Sequence, residues 1–324
     1  MTAEVLVNDR LKLAQDKARV LQEALPWMTR WAGQTLVVKY GGNALARTPL
    51  DRSEGGRPED GETNTALTPT DTGPGEDPSF ARDIALLHSV GVRVVVVHGG
   101  GPQISQLADR LGLETAFVDG RRVTDAPTLQ AVQMALLGQV NPMLVRMISD
   151  AGAPAVGVAG TDSSQVIAVQ HDPRMGFVGR VDHVDPQLLD QMLDSGRIPV
   201  MATLCSTADG QTVNVNADEV AGAVAQALGA DKLIYLTNVA GLYENFGTPD
   251  STLLSEVGVG RLRQMIADDE LVTGMIPKVA SIVAALDGGV PQAHLLDGRI
   301  EHAILLEIFT DSGIGTMILP EPAP

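Results

Sequence analysis

Lysine is scarce in this 324-residue chain, with five lysines against eighteen arginines. Two of the five stand where regular elements meet loops. Lys39 closes the apolar run Leu36-Val37-Val38-Lys39, and Gly41-Gly42-Asn43 come just after it. Lys278 lies one residue past Pro277, in Thr273-Gly274-Met275-Ile276-Pro277-Lys278. A second glycine cluster, His98-Gly99-Gly100-Gly101-Pro102, ends another apolar run over residues 92–97. Glycine lets backbone N–H groups approach an anion with no side chain in the way. A helix opening at Pro102 would add the positive end of its dipole. A cation and two sets of N–H donors at strand ends are the parts of an anion site, and strand ends are where open α/β sheets bind ligands. Lys278, taken alone, reads equally as an exposed helix lysine.

Two further segments carry polar groups at element boundaries. Arg121 and Arg122 adjoin in Gly120-Arg121-Arg122-Val123-Thr124-Asp125. Paired arginines suit a bidentate grip on a carboxylate, although two solvated arginines would look the same. Asn214-Val215-Asn216-Ala217-Asp218 puts polar side chains on one face of a short strand and then enters a helix. Asp218 falls in that helix's first turn, where a carboxylate suits the dipole. Nothing in the set is a dedicated nucleophile or general base. Phosphoryl transfer to a carboxylate needs neither, because the acceptor is already ionised at pH 7. The obstacle is charge, an anion attacking a polyanion. It is met by positioning, cations and N–H donors.

Other chemistries lack their signatures. There is no G-x-x-x-x-G-K-[ST] phosphate loop, and the Gly99-x-Gly101 pattern fails at Ile104 as a dinucleotide fingerprint. Gly313-x-Gly315 fails likewise at Ile318. Protein-kinase, G-x-S-x-G and H-E-x-x-H motifs are missing, and the six histidines show no zinc spacing. No metal ligands are therefore expected from the chain. A net charge of −17 disfavours nucleic-acid partners. No run reaches the roughly 18 apolar residues of a membrane span. The single cysteine, Cys205, fits a reducing compartment. A cytoplasmic location is expected.

The elements that would position these residues follow from hydrophobic period. Residues 10–30 read as an amphipathic helix, with Leu13, Ala14, Lys17, Val20, Leu21 and Ala24 at helical spacing and Pro26 bending or ending it. Such a helix ahead of the first strand needs a surface for its apolar face, and an oligomer contact would provide one. Residues 46–78 hold eight acidic and three basic residues and only two large aliphatic ones, which predicts a disordered acidic loop. Asp125 is a fitting N-cap for a helix through Gln139. Short apolar runs at 155–158, 166–169, 198–202, 233–236 and 293–296 alternate with helices at 217–228, 261–267 and 277–286. That alternation predicts an α/β fold with a mainly parallel sheet covered on both faces.

Six segments, taken in order, resemble the amino-acid kinase family, and within it the acetylglutamate kinases of the arginine-inhibited hexameric type. They are residues 38–44, 97–104, 120–125, 214–218, 236–243 and 274–279, and the likeness spans about 25–318. The resemblance implies an αβα sandwich and ATP-dependent phosphorylation of the side-chain carboxylate of N-acetyl-L-glutamate, with Mg2+ accompanying ATP. It implies that Lys39 and Lys278 stabilise the transition state and that Asp218 holds them. Gly100, Gly101, Arg122 and Asn214 match acyl-amino-acid-binding positions. Gly41, Gly42, Asn238, Val239, Gly241, Leu242, Tyr243, Thr273, Gly274 and Met275 match nucleotide-binding ones. Trp27, His302, Glu307 and Gly313 match an L-arginine effector site. The implied division is an oligomerisation helix over 1–32, an acyl-amino-acid-binding and dimerising lobe over 33–230, and a nucleotide-binding lobe over 231–324. The implied assembly is a hexamer built as a trimer of dimers. Asn238 stands where the family usually has aspartate, and Trp27 where it often has tyrosine. A sibling kinase acting on another carboxylate or on carbamate is an alternative reading, as is a catalytically weak arginine-sensing scaffold.

Overall fold

The computed structural model describes residues 3–41, 78–118, 120–248, 250–272, 274–310 and 313–320. Helix α1 (Ala3–Trp31) precedes strand β1 (Thr35–Tyr40). Then come α2 (Pro78–Ser89), β2 (Arg93–His98) and α3 (Gly101–Arg110). A short hairpin of β3 (Phe117–Val118) and β4 (Arg121–Arg122) leads into α4 (Ala126–Ala135), a π-helical turn over Leu136–Val140, and α5 (Asn141–Asp150). Strands β5 (Ala155–Ala159), β6 (Val166–Gln170) and β7 (Val178–Val184) follow, then α6 (Gln187–Asp194), β8 (Ile198–Ala202), β9 (Leu204–Ser206) and β10 (Thr212–Val215). The remainder comprises α7 (Ala217–Ala227), β11 (Lys232–Thr237), β12 (Tyr243–Glu244), β13 (Thr252–Leu253), β14 (Glu256–Gly258), α8 (Val259–Ala267), α9 (Ile276–Asp287), β15 (Ala293–Asp297), α10 (Ala303–Ile308) and β16 (Thr316–Leu319).

Eight strands form one sheet in the order β14-β16-β15-β11-β1-β2-β8-β5. All neighbours run parallel except β15 and β16. Alternate side chains on a strand point to opposite faces, and both faces are covered here. Val37, Val95, Val97, Leu233 and Tyr235 pack with α7, α8 and α9. Leu36, Val38, Val94, Val96, Ile234 and Leu236 pack with α2, α5 and α10. This is the expected αβα sandwich. With few aromatics, branched aliphatic side chains fill most of the core. Lys39 shares the odd-numbered face of Val37, so its side chain leaves β1 toward the α7 and α9 layer.

Four elements differ from expectation. Helix α1 opens at Ala3, ahead of residue 10, and runs through Pro26 to Trp31. Proline there removes only one i→i−4 bond, the one to the Gln22 carbonyl, and Thr29 Oγ1 donates back to the Leu25 carbonyl in the following turn, 2.9 Å away. The helix capped by Asp125 does not stop at Gln139. It passes through the π turn and on to Asp150, because Pro142 falls at the start of α5, where its missing N–H costs little. The 166–169 run belongs to a small closed barrel of β10, β7, β6 and β9 rather than to the main sheet. The acidic stretch 46–77 lies outside the described residues, and Pro78 is the first residue of α2.

Candidate active site

Lys39 is the penultimate residue of β1, and β1 lies between β2 and β11 in the middle of the sheet. Asp218 sits in the first turn of α7, which Asn216 caps by accepting the Asp218 N–H at 2.8 Å. Lys278 sits in the first turn of α9, behind Pro277. Helices α7 and α9 pack together on the odd face, and so the three side chains converge. Lys39 Nζ lies 2.8 Å from Asp218 Oδ1, and Lys278 Nζ donates to Asp218 Oδ2 at 2.9 Å. All three residues are buried. Tyr235, the β11 neighbour of Lys39 in register, ties the helices together from below. Its hydroxyl bonds the Asp218 carbonyl and Ser281 Oγ, each at 3.0 Å.

Burial alone would push the Asp218 carboxyl up, but the Lys39 and Lys278 charges outweigh it and hold the group at about 2. One carboxylate cannot offset two ammonium groups. Burial, then the Lys39 charge, pulls the Lys278 ammonium below the ordinary lysine range. The cluster thus keeps one uncompensated positive charge in a low-dielectric setting, where it acts strongly on an incoming anion. The sign for stability follows. An unfolded aspartate titrates near ~3.9, so Asp218 stabilises the fold above that pH, and the contribution is lost as pH falls through about 2. In acid titrations the wild type should lose stability across this window relative to Asp218→Asn. Parallel acid curves for the two proteins would contradict the assignment.

The cluster lines a cleft of about 340 Å³. One wall is the glycine loop after β2. A Cβ on Gly100 would come within 2.7 Å of Leu136 Cδ2 in the π turn, whereas Gly101 opens onto free space. A Cβ on Gly41 would approach the Leu236 carbonyl at 2.8 Å and Lys39 Nζ at 3.0 Å, so only glycine lets β1 end beside its own lysine. The β3–β4 hairpin forms the rim. Arg122 is buried, with Nη2 donating to Ser105 Oγ at 2.7 Å and to the Gly101 carbonyl at 3.3 Å. Its Nη1 has no acceptor among the described residues. Phe117 packs over the guanidinium at 4.6 Å. Asn214 lines the same wall and donates to Thr124 Oγ1 at 3.4 Å. The four residues expected at an acyl-amino-acid site are therefore brought together beside the triad.

Asn238 also lines the cleft, and the next residue, Val239, begins a smaller apolar slot of about 40 Å³. Gly241, Leu242, Tyr243 and Met275 line this slot with Phe246 and Leu271. Gly241 is required there, because a side chain would overlap Thr316 Oγ1, which instead accepts the Leu242 N–H at 2.8 Å. Gly274 opens onto free space. Gly42 and Thr273 lie outside the described residues.

The residues matched to an effector site divide. Glu307 and Gly313 come together: a Cβ on Gly313 would lie 2.8 Å from Glu307 Oε2, and that oxygen accepts the Ile314 and Gly315 N–H groups at 2.8 and 3.2 Å. His302 is elsewhere, with Nδ1 2.6 Å from Asp83 Oδ1. The histidine on Glu307 is His294, Nδ1 to Oε1 at 2.5 Å. Trp27 is half-buried on α1 beside Arg30. Lys232, over the Trp31 ring at 4.7 Å, is drawn to about 8 by burial, with the Glu307 charge opposing. His294 gives no polar signal in the sequence, because it lies within the apolar strand β15. Arg121, the other of the paired arginines, lines the cleft and pairs with Glu219 at 3.2 Å.

Residues 34–297 match the model of the amino acid kinase family. The chain belongs to that family. Its curated relatives cover nearly its whole length. An acetylglutamate kinase of Paenarthrobacter aurescens (strain TC1) is 43% identical over 339 aligned positions, covering 99% of this chain and 98% of the relative. An acetylglutamate kinase of Frankia alni is 45% identical over 312 positions, covering 94% of this chain and 82% of the relative. Among solved structures, N-acetylglutamate synthase from Neisseria gonorrhoeae, complexed with coenzyme A and N-acetyl-glutamate, superposes with a TM-score of 0.74 at 27% identity. That match covers 94% of this amino acid kinase and 63% of the synthase, so the chain spans under two thirds of the synthase.

Proposed function

We propose that this amino acid kinase phosphorylates the side-chain carboxylate of N-acetyl-L-glutamate from ATP, a step of arginine biosynthesis, as its curated relatives' names indicate. The observation that carries the chemistry is the buried Lys39–Asp218–Lys278 cluster between the glycine wall and the apolar slot. In this reading the nucleotide base rests at the mouth of the slot, which is too small to enclose it, and the phosphates extend past Asn238 into the cleft. The acyl amino acid lies between the glycine loop and Arg122, whose free Nη1 suits a carboxylate. A carboxylate oxygen attacks the γ-phosphorus, and the bond from that phosphorus to the β–γ bridging oxygen breaks. The products are N-acetyl-L-glutamyl 5-phosphate and ADP. No proton moves. Lys39 and Lys278 stabilise the charge on the transferring group, and Asp218 keeps both in place.

Mg2+ accompanies the nucleotide in this reading. Among the described residues no cluster of three His, Cys, Asp or Glu side chains could hold a metal. Asp218, the one carboxylate lining the cleft among the described residues, has an oxygen on each lysine. The ion would therefore be held by phosphate oxygens and water. The direct experiment is ATP-dependent formation of an acyl phosphate trapped as a hydroxamate. Turnover of N-acetylglutamate is expected. Turnover only of glutamate, aspartate or carbamate would replace it with a sibling kinase, and no turnover would favour the sensing-scaffold reading.

Feedback inhibition by L-arginine, a hexameric assembly and a cytoplasmic location belong to the same proposal, as does the division into an acyl-amino-acid lobe and a nucleotide lobe. The buried Glu307 carboxylate beside Gly313 supports a guanidinium site. Val20 and Leu25 of α1 are 58% and 59% exposed, which supports a helix awaiting a partner. No described helix is long and apolar enough to cross a membrane. Deleting residues 1–25 is expected to convert hexamers to dimers in light scattering and to blunt inhibition by arginine. Hexamers that persist would remove α1 from the interface.

A further inference from the structure

His98 is the last residue of β2 and is fully buried, directly before the glycine loop. Its Nδ1 lies 2.9 Å from the Gly99 carbonyl, and its Nε2 lies 3.0 Å from Asn141 Nδ2. The Asn141 amide nitrogen also donates to the Val200 carbonyl at 2.8 Å, with the Val158 carbonyl farther off at 3.5 Å, and two carbonyl contacts fix it as the nitrogen; its two hydrogens go to the nearer pair, Val200 and His98. An amide nitrogen only donates, so Nε2 of His98 must accept. The ring proton therefore sits on Nδ1 and is given to the Gly99 carbonyl. Asn141 can make these contacts because it stands at the junction of the π turn and α5, and because Gly157 leaves room: a side chain at 157 would overlap Asn141 Oδ1. Burial lowers the His98 ring to about 4, partly offset by the Gly99 bond, so it stays neutral at working pH.

The consequence reaches the cleft through one peptide plane. In a planar trans peptide the carbonyl and the following N–H point in opposite directions. A Gly99 carbonyl turned onto the buried ring sends the Gly100 N–H the other way. Gly99 and Gly100 both line the cleft, and the Gly100 N–H has no acceptor among the described residues. A glycine-glycine peptide is free to rotate to the inverse arrangement unless something holds it. We infer that His98, with its tautomer set by Asn141, is a positioning residue that holds the Gly99–Gly100 peptide so that the Gly100 N–H faces the transferring phosphoryl group. The inference rests on the phosphoryl-transfer reading of the cleft and adds a residue that touches neither substrate.

The test uses the shape of the imidazole. The amide nitrogen of asparagine falls near the place of Nδ1, whereas that of glutamine falls near Nε2. His98→Asn should keep the donor to the Gly99 carbonyl, and His98→Phe and His98→Gln should lose it. Losing one preorganised donor typically lowers kcat about 100-fold. His98→Phe and His98→Gln are expected to show that loss, with KM for ATP changed less than about three-fold. His98→Asn is expected to retain kcat within about ten-fold although it leaves a cavity and melts lowest of the three. Activity and stability then rank the variants in opposite orders. Crystal structures of the full-length variants should show the Gly99 carbonyl turned toward the cleft in His98→Phe and held inward in His98→Asn. A kcat that follows melting temperature, or an unmoved Gly99 carbonyl in His98→Phe, would overturn the inference. If the wild type failed to phosphorylate N-acetylglutamate, the functional reading would fail, and the carbonyl orientation would still decide the role of His98.

Discussion

Replacing Lys39 with alanine should lower kcat by two to three orders of magnitude and leave the fold intact. The two effects separate because of the charge count in the cluster. Two ammonium groups share one carboxylate. Removing Lys39 leaves a balanced Lys278–Asp218 pair, so the usual penalty for a stranded buried charge does not arise. What disappears is the positive charge aimed at the phosphoryl group, an effect of about 3–4 kcal/mol on the barrier when a single preorganised group is removed. The Asp218→Asn variant should behave differently. It leaves two buried ammonium groups with no counter-ion, a change of the kind that costs about 3–5 kcal/mol of stability. A second signature accompanies Lys39→Ala. The Lys278 ammonium is pulled down by burial and then by the Lys39 charge. Without Lys39 the alkaline limb of the residual kcat profile should move to higher pH. Denaturant melts and pH–rate profiles of both variants check this. A Lys39→Ala protein with near wild-type kcat would remove the cluster from the chemistry.

Arg122→Ala should raise KM for the acyl amino acid about 100-fold while changing KM for ATP little. The guanidinium is half committed, because Nη2 is anchored on Ser105 and the Gly101 carbonyl. Nη1 is buried and unpaired among the described residues, so it has already lost its water. A carboxylate arriving there gains a charge-assisted bond, and bonds to charged groups contribute about 1.5–3 kcal/mol each. Arg122→Lys should not restore binding. A single ammonium cannot hold the Ser105 anchor and face the ligand together, nor stack flat under Phe117. Steady-state kinetics with each substrate varied in turn will separate the two KM values. An equal rise in both would mean that the hairpin shapes the whole cleft rather than the acceptor end.

Much of this site is legible in the sequence. Lys39 was legible because a lysine ending an apolar strand and followed by glycine has few structural explanations. The sandwich followed from apolar runs at strand length alternating with capped helices. Lys278 was not legible from local pattern. Its partner lies 60 residues away, and only the packing of α7 on α9 joins them. The π turn escaped because helical period runs straight across it. The small barrel escaped because strands of five residues do not declare which sheet they join. His98 reads as one more core residue until the direction of its two hydrogen bonds is considered. The pairing of His294 with Glu307 escapes for the same reason: a histidine in an apolar strand gives no local sign of the carboxylate that the fold brings to it.

The cluster contains fixed cations and no group that must gain or lose a proton during transfer. Acid–base enzymes must have their groups in opposite protonation states to run backwards. Here the same lysines and the same peptide donors meet the acyl phosphate and ADP in the state in which the forward reaction left them. The chain is thus equally equipped to make ATP from its own product. Acyl phosphates are reactive phosphoryl donors, and so net synthesis in the forward direction has to be enforced from outside the site, by prompt removal of the product or by a high ratio of ATP to ADP.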